Sequence, residues 1–403
     1  MKELELCLWR DNMNAFKITD DTYVAATYAR FHLCIERGEG VYVYDDANNR
    51  YIDFTSGIGV NSLGYANKDW VNAITKQAST LAHMSNLYYT EPMLTLAKKL
   101  CRLSGMKKVF FANSGAEANE GAIKVARKYA DDHYRGNRKE IITLKNSFHG
   151  RTIATLSATG QDVFHQHFGP FPEGFTYCEA NNCKSLEETV NENTAAIMIE
   201  MVQGEGGVLP LQQDFVDKIK EICKEKDILL IIDEVQTGIG RCGSLFAYEQ
   251  FGLQPDIVSC AKGLGGGLPI GAVLLNQKCE SVLHYGDHGT TFGGNPIACA
   301  GANVVLDKMT PSFLRMVEEK GQYMKERLEA MPRVKKVNGL GMMLGVELDQ
   351  IPVKDLINAC IRKGALFLSA KNNLRLLPPL VMNKTEINEG LDLLEEVLTH
   401  WED

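Results

Sequence analysis

Between about Asn67 and Leu275 the chain alternates short apolar runs with longer amphipathic stretches. The runs Lys108–Ala112, Glu140–Leu144, Ala196–Glu200, Ile228–Asp233, Asp256–Cys260 and Gly271–Leu275 have strand length. Helical spacing occupies Ala116–Ala130 and Asp214–Lys226 between them. Strands lacking polar alternation are buried on both faces, so this order predicts a mainly parallel sheet covered by helices. Ahead of it, Gly40–Phe54 alternates, turns on polar residues and alternates again, which predicts a β-hairpin. After Pro296 a helix is expected to about Lys308, then a charged amphipathic helix over Ser312–Ala330. A strand-like Met342–Leu348 and two further helical patterns complete a smaller α+β region.

Composition divides this order into domains. The 403 residues exceed the roughly 250–300 at which a single core stops growing. We expect a large domain over residues 61–308, a small one over 309–403, and an N-terminal segment, 1–60, joining the small domain. Hydrophobic residues at 45% and charged ones at 23% are those of an ordinary soluble protein. The net charge of −8 argues against nucleic acid or an anionic membrane as partner. Eleven cysteines, from Cys7 to Cys360, include no C-x-x-C pair, and the Cys178–Cys183 spacing matches no common zinc pattern. Reduced thiols and no metal site are expected. Met1–Lys17 lacks the basic start and apolar run of a secretion signal, and no apolar stretch approaches the ~20 residues of a membrane span. A cytoplasmic location is the expectation.

Ligands of open α/β sheets bind beyond the carboxyl ends of the strands, and four clusters fall there. Phe111-Ala-Asn-Ser-Gly-Ala-Glu-Ala-Asn119 leads from a strand into a helix, a corner whose free N–H groups suit phosphate. An ordinary N-cap by Asn113 or Ser114 would read the same way. Ile228-Leu-Leu-Ile-Ile-Asp-Glu-Val-Gln236 places a carboxylate at the sheet's lip, fit for magnesium or for a cationic ring nitrogen. The magnesium reading needs a G-x-x-x-x-G-K-[ST] loop, and none occurs. Gly238–Gly243 matches G-x-G-x-x-G but does not start at a strand end, so a glycine-rich loop is expected rather than a dinucleotide fingerprint. In Ser259-Cys-Ala-Lys-Gly-Leu-Gly-Gly-Gly-Leu-Pro269 a lysine follows an apolar strand, and desolvation there suits imine formation. Asn146-Ser-Phe-His-Gly-Arg-Thr152 offers a stacking face and a carboxylate fork, although Phe148 alone reads as core and Arg151 as a surface ion pair.

Taken in order, these clusters resemble the fold-type I, class III aminotransferases over nearly the whole chain. The most specific pieces are Asn113–Asn119, Asp233-Glu-Val-Gln-Thr-Gly238, Ala261–Gly267 and His288-Gly-Thr-Thr-Phe-Gly-Gly-Asn-Pro296. The resemblance implies a large domain with a seven-stranded-type sheet and pyridoxal 5′-phosphate held as a Schiff base by Lys262. It implies that Lys262 also shuttles the proton and that Asp233 keeps the pyridine nitrogen protonated. Gln236 would bond the phenolic oxygen and Phe148 would stack on the ring. Ser114, Gly115 and Ala116 would bind phosphate, with Glu234 and Val235 as further cofactor contacts. Thr291 would reach the phosphate of the neighbouring subunit, implying a homodimer with shared active sites.

The same resemblance assigns the substrates, small amino and keto acids. Arg151 would hold the donor's α-carboxylate and Arg375, in Asn373-Leu-Arg-Leu-Leu-Pro-Pro379, that of glutamate or 2-oxoglutarate. Glu205 would neutralise Arg375 when the other substrate is bound, though without the family it reads as a solvated loop carboxylate. Thr290 is a further contact candidate. Ile58 leaves no phenol to hold a free α-ammonium, which fits N-acetylornithine as donor and a place in arginine biosynthesis. Succinylornithine, N-succinyl-diaminopimelate and 4-aminobutyrate stay open as donors, and a non-catalytic cofactor-binding protein on the same fold is the alternative of a different class. One departure from the family stands at Gly64-Tyr-Ala-Asn-Lys-Asp69, where a Gly-His near an x-His-Pro is usual.

Overall fold

The computed structural model describes residues 15–402. The expected hairpin forms: β2 (Tyr42–Asp45) pairs antiparallel with β3 (Arg50–Asp53), Val43 opposite Tyr51, and β1 (Ile35–Glu39) pairs with β2 along its other edge. Asp45 fixes the turn, its Oδ1 accepting from the Ala47 and Asn49 amides. Such side-chain acceptance is why Asp and Asn favour turns.

The central sheet holds seven strands: β4 (Lys108–Ala112), β5 (Glu140–Leu144), β6 (Phe175–Cys178), β7 (Thr194–Ile199), β10 (Leu229–Asp233), β11 (Ile257–Cys260) and β12 (Gly271–Leu275). A two-stranded ribbon of β8 (Val202–Gln203) and β9 (Leu209–Pro210) lies beside it. The spatial order is β4-β12-β11-β10-β7-β5-β6. In this sheet only β12 runs against its neighbours, so the remaining strands present their carboxyl ends along one edge. Both faces are covered, as apolar runs require. Leu229 and Ile231 pack into one core with Ala122 and Val125 of the helix Gly115–Tyr134. Leu230 and Ile232, pointing the other way, join a second core with Phe215 and Ile219 of Gln213–Lys226. Each such fully buried side chain is worth roughly 1.5–3 kcal/mol.

Two differences from expectation matter. The edge strand β6 was not legible because its residues are mostly half-buried, without the unbroken apolar run. And β7 ends at Ile199, so Glu200, expected as its last residue, leaves the ladder beside the cavity described below.

Beyond the helices Pro296–Lys308 and Pro311–Glu329, strands β13 (Val334–Leu340), β14 (Met343–Leu348), β16 (Leu368–Ala370) and β17 (Asn373–Leu376) form a sheet ordered β13-β14-β17-β16. The helices Val353–Lys363 and Lys384–Thr399 are the two further helical patterns. Between them β15 (Ala365–Leu366) pairs in parallel with β3, and Leu377 N donates to Phe54 O at 2.8 Å. The two ends of the described chain therefore share one sheet. Gly238–Gly243 opens no helix; it is a turn in which Arg241 is 2% exposed and donates from Nη1 to Met342 O and Pro378 O. Among the described residues no helix is long and apolar enough to cross a membrane.

Candidate active site

The carboxyl ends of β4, β10 and β11 meet at a cavity of about 460 Å³. Ser114, Gly115 and Ala116 line one end of it. Ser114 caps the helix Gly115–Tyr134, its Oγ accepting from Glu117 N at 3.2 Å, while the Glu117 carboxylate accepts from Asn113 N. Gly115 and Ala116 keep N–H groups with no intrahelical acceptor, the usual seat of an anion. Gly271 makes room for this corner, since a Cβ there would fall 2.2 Å from the Ser114 carbonyl oxygen.

Asp233 ends β10 and is 3% exposed. Its Oδ2 accepts from Asn119 Nδ2 and lies against His149 Nδ1, both at 2.8 Å, and its Oδ1 accepts from Val235 N at 3.0 Å. Burial alone would push the His149 pKa down, but the hydrogen bond and charge of Asp233 outweigh it and raise it. Glu200 also borders the cavity and accepts from Phe148 N at 3.1 Å. Burial, aided by Asp233 and opposed by His149, pushes its carboxyl up to about 8. Asn119, His149 and Glu200 were not singled out as site residues. The first two lie inside clusters already noted, and Glu200 is an acid ending an apolar run, the pattern that picked out Asp233.

Lys262 follows β11 on a short turn with φ of 42°, a left-handed backbone rare for a non-glycine residue. Such strain costs on the order of 1–3 kcal/mol and persists where the surroundings over-determine it. Burial lowers the pKa of its ammonium, with Glu205 opposing and Arg375 assisting. Phe148, Val235, Gln236 and Arg151 complete the expected residues lining the cavity. A phosphate corner, a hydrogen-bonded carboxylate, an aromatic ring and a lysine of lowered pKa together fit a phosphorylated pyridine aldehyde.

The two arginines meet different surroundings. Arg375, on β17 and 3% exposed, donates from Nη1 to Glu205 Oε1 at 2.5 Å and to Gln236 Oε1 at 3.2 Å. Burial pushes the Glu205 carboxyl up, but Arg375 prevails and holds it below the usual range. Arg151 is exposed, and among the described residues no carboxylate pairs with it. Its guanidinium carbon lies 5.7 Å from the centroid of the Phe148 ring and 4.5 Å from that of Phe164.

Glu205 and Arg375 do not line the cavity but reach it through Gln236, and three further expected residues stand apart from it. The Glu234 carboxylate turns away from the cavity, accepting from the Thr237 hydroxyl at 2.6 Å and Tyr248 N at 2.9 Å, because side chains alternate past a strand end. Thr290 is half-buried and accepts from Asn113 Nδ2 at 3.1 Å, and Thr291 is exposed; neither lines the cavity. Ile58 sits 43% exposed at φ of 66° in the kinked turn Ser56–Gly59, two residues before the cavity-lining Val60. In the divergent loop, the Tyr65 hydroxyl donates to Asp53 Oδ2 at 2.7 Å and Asn67 caps the helix Lys68–Thr80.

The family model of class-III aminotransferases matches residues 23–398. The chain belongs to the class III aminotransferases. It is 55% identical over 385 residues to the acetylornithine aminotransferase of Haemophilus ducreyi, covering 95% of this chain and 98% of that one. The N-acetylornithine aminotransferase of Stenotrophomonas maltophilia superposes with a TM-score of 0.82 at 34% identity, covering 95% and 98% of the two chains. The ornithine aminotransferase of Toxoplasma gondii, solved with pyridoxal phosphate at partial occupancy, superposes with a TM-score of 0.91 at 30% identity over 98% and 97%. As a class III aminotransferase of fold-type I, the chain works with pyridoxal 5′-phosphate.

Proposed function

We propose that this class III aminotransferase transfers the side-chain amino group of N2-acetyl-L-ornithine to 2-oxoglutarate. The products are N-acetyl-L-glutamate 5-semialdehyde and L-glutamate, in arginine biosynthesis. The observation that carries this reading is the contrast between the two arginines beside Lys262. Arg375 has a built-in carboxylate, Glu205, so it can be neutralised while a donor lacking a carboxylate there occupies the site. Arg151 has no such partner among the described residues and offers its N–H fork to the donor's α-carboxylate, which leaves the distal amine to face Lys262. Relatives that bear the acetylornithine name at high identity over nearly their full length support the same donor.

Pyridoxal phosphate, when bound, supplies an electron sink for the bonds of the amine-bearing carbon. Ser114, Gly115 and Ala116 would hold its phosphate, Phe148 and Val235 would flank its ring, and Gln236 would bond its phenolic oxygen. Asp233, fixed by Asn119 and His149, would keep the ring nitrogen protonated. Lys262 Nζ would hold the cofactor covalently and carry the proton to and from the substrate carbon; its lowered pKa favours the neutral amine both tasks need. Glu234 would act only through its backbone and Thr290 through Asn113. Thr291 would serve the cavity of a second subunit in a homodimer, a role its exposure supports. We group residues 15–60 with residues 309–403 as one small domain, supported by the β3–β15 pairing; residues 1–14 of that segment lie outside the described residues. The free cysteines of the described chain fit the cytoplasm.

Borohydride reduction of the holoenzyme and peptide mapping should label Lys262; a label on another lysine, or none, overturns the reading. Single-turnover rates should rank acetylornithine above ornithine and 4-aminobutyrate. The reverse order refutes the donor assignment.

A further inference from the structure

Phe164 belongs to no part of the machinery described above, yet its ring lies closer to the Arg151 guanidinium than does that of Phe148. The two rings meet edge to face, their centroids 5.8 Å apart at 72°. Between them they give Arg151 aromatic faces to rest on, and among the described residues it has no carboxylate to bind. A guanidinium stacked in this way keeps the N–H donors at its rim free for a planar carboxylate.

The turn that carries Phe164 is tied down on both sides. Gln161, just before it, donates from Nε2 to Ser147 O at 3.0 Å, next to the residue that carries the other ring. Phe164 N closes the turn onto Gln161 O at 3.0 Å. His165, just after it, places Nε2 2.9 Å from Leu156 O and its ring 5.2 Å from that of Phe171. Phe164 is itself half-buried, so its ring is placed before any ligand arrives, while Asp162 and Val163 beside it remain exposed.

We propose that Phe164 is a positioning residue for the amino donor: its ring orients the Arg151 fork toward the donor's α-carboxylate and forms an apolar wall beside the acylated α-carbon. This rests on the assignment of Arg151 to the donor carboxylate. It explains how an exposed arginine with no ion pair among the described residues can present a fixed binding edge, since a free side chain of that length surrenders its rotamer entropy each time it binds.

The test uses the holoenzyme and N-acetyl-L-norvaline, which has the donor's acyl group and carboxylate but no amine to react. Its Kd by calorimetry should rise about fivefold in Phe164→Leu, which keeps the apolar bulk and loses the π face. Phe164→Tyr should bind like the parent. In turnover, Phe164→Leu should raise KM for acetylornithine by a similar factor, with kcat changed less than twofold. The half-reaction with L-alanine, which has one carboxylate and no use for Arg151, should keep its rate. Unchanged Kd in Phe164→Leu, or equal weakening in the Leu and Tyr variants, overturns the proposal. Arg151→Lys separates the two levels: if it leaves the Kd unchanged, the assignment of Arg151 fails. If it weakens binding while Phe164→Leu does not, only the role of Phe164 fails.

Discussion

Under the cavity, Asp233, His149 and Glu200 are three ionisable side chains buried together, and burial does not treat them alike. Asp233 meets three N–H groups; Glu200 has mainly backbone amides, and burial pushes its carboxyl up. A carboxyl pushed up to about 8 in the fold, against 4.5 for the free group, stabilises the fold fully below the lower value. That contribution is lost as pH rises through the upper one. Glu200→Gln keeps an acceptor for Phe148 N and removes the titration. Between pH 5 and 8 its melting temperature should therefore fall less with pH than that of the parent. Equal slopes in the two melting series would show that Glu200 is ionised throughout. At this scale, sequence could show Asp233 because an acid terminates an apolar strand. It could not show the pairing of Asp233 with His149 and Asn119, 84 and 114 positions away, because no spacing rule reaches across three strands of a sheet.

The elements were legible where burial is two-sided. β4, β5 and β12 occupy the residues expected, and β10 and β11 differ by one at their start, because unbroken apolar runs have few other uses. Direction was not legible: nothing in Gly271–Leu275 says that β12 runs antiparallel to β11 and β4. Yet that reversal has a consequence for the site. It sets Gly271, the first residue of β12, opposite Ala112, the last of β4, directly against the Ser114 carbonyl. A methyl group at Gly271 meets backbone rather than a flexible side chain, so the helix corner must move. Gly271→Ala should thus weaken pyridoxal phosphate binding about tenfold or more, measured by equilibrium dialysis, because misplaced amides lose hydrogen bonds to a charged group. The sheet's amide-exchange protection should stay near that of the parent. Cofactor affinity equal to the parent's would mean that the corner does not hold the phosphate. The glycine-rich turn Gly238–Gly243 is likewise intelligible only with the fold in view: it buries Arg241 against the carbonyls of Met342 and Pro378, which joins the Asp233 loop to the strand end that carries Arg375.

For the whole molecule, the informative surface is the one a single chain leaves uncovered. Leu87 is 87% and Tyr89 91% exposed, and they precede the helix Glu91–Ser104 on a segment tied by Asn86 Nδ2 to Gly293 O at 2.9 Å. Phe292, 59% exposed, has its ring centroid 5.2 Å from that of His83, and Thr291 sits next to it. Large side chains this open, grouped around the segment that bonds to Thr290 and Gly293, are what the proposed homodimer would cover. A two-fold axis would bring Thr291 of each subunit to the phosphate corner of the other. Hybrids test this directly. A Lys262→Ala chain cannot hold the cofactor covalently, and a Thr291→Glu chain would present a carboxylate to its partner's phosphate; each homodimer should be inactive. In a mixed dimer, the lysine-deficient cavity also receives the glutamate, while the other cavity has its own Lys262 and an intact Thr291 from across the interface. Co-expression of the two should therefore restore activity, with one working cavity in each mixed dimer. If Thr291 acted within its own chain, both cavities of the mixed dimer would carry one defect each and activity would stay at the level of the homodimers. Restored activity in the mixture, absent when separately folded homodimers are combined without exchange, would place Thr291 in its partner's site.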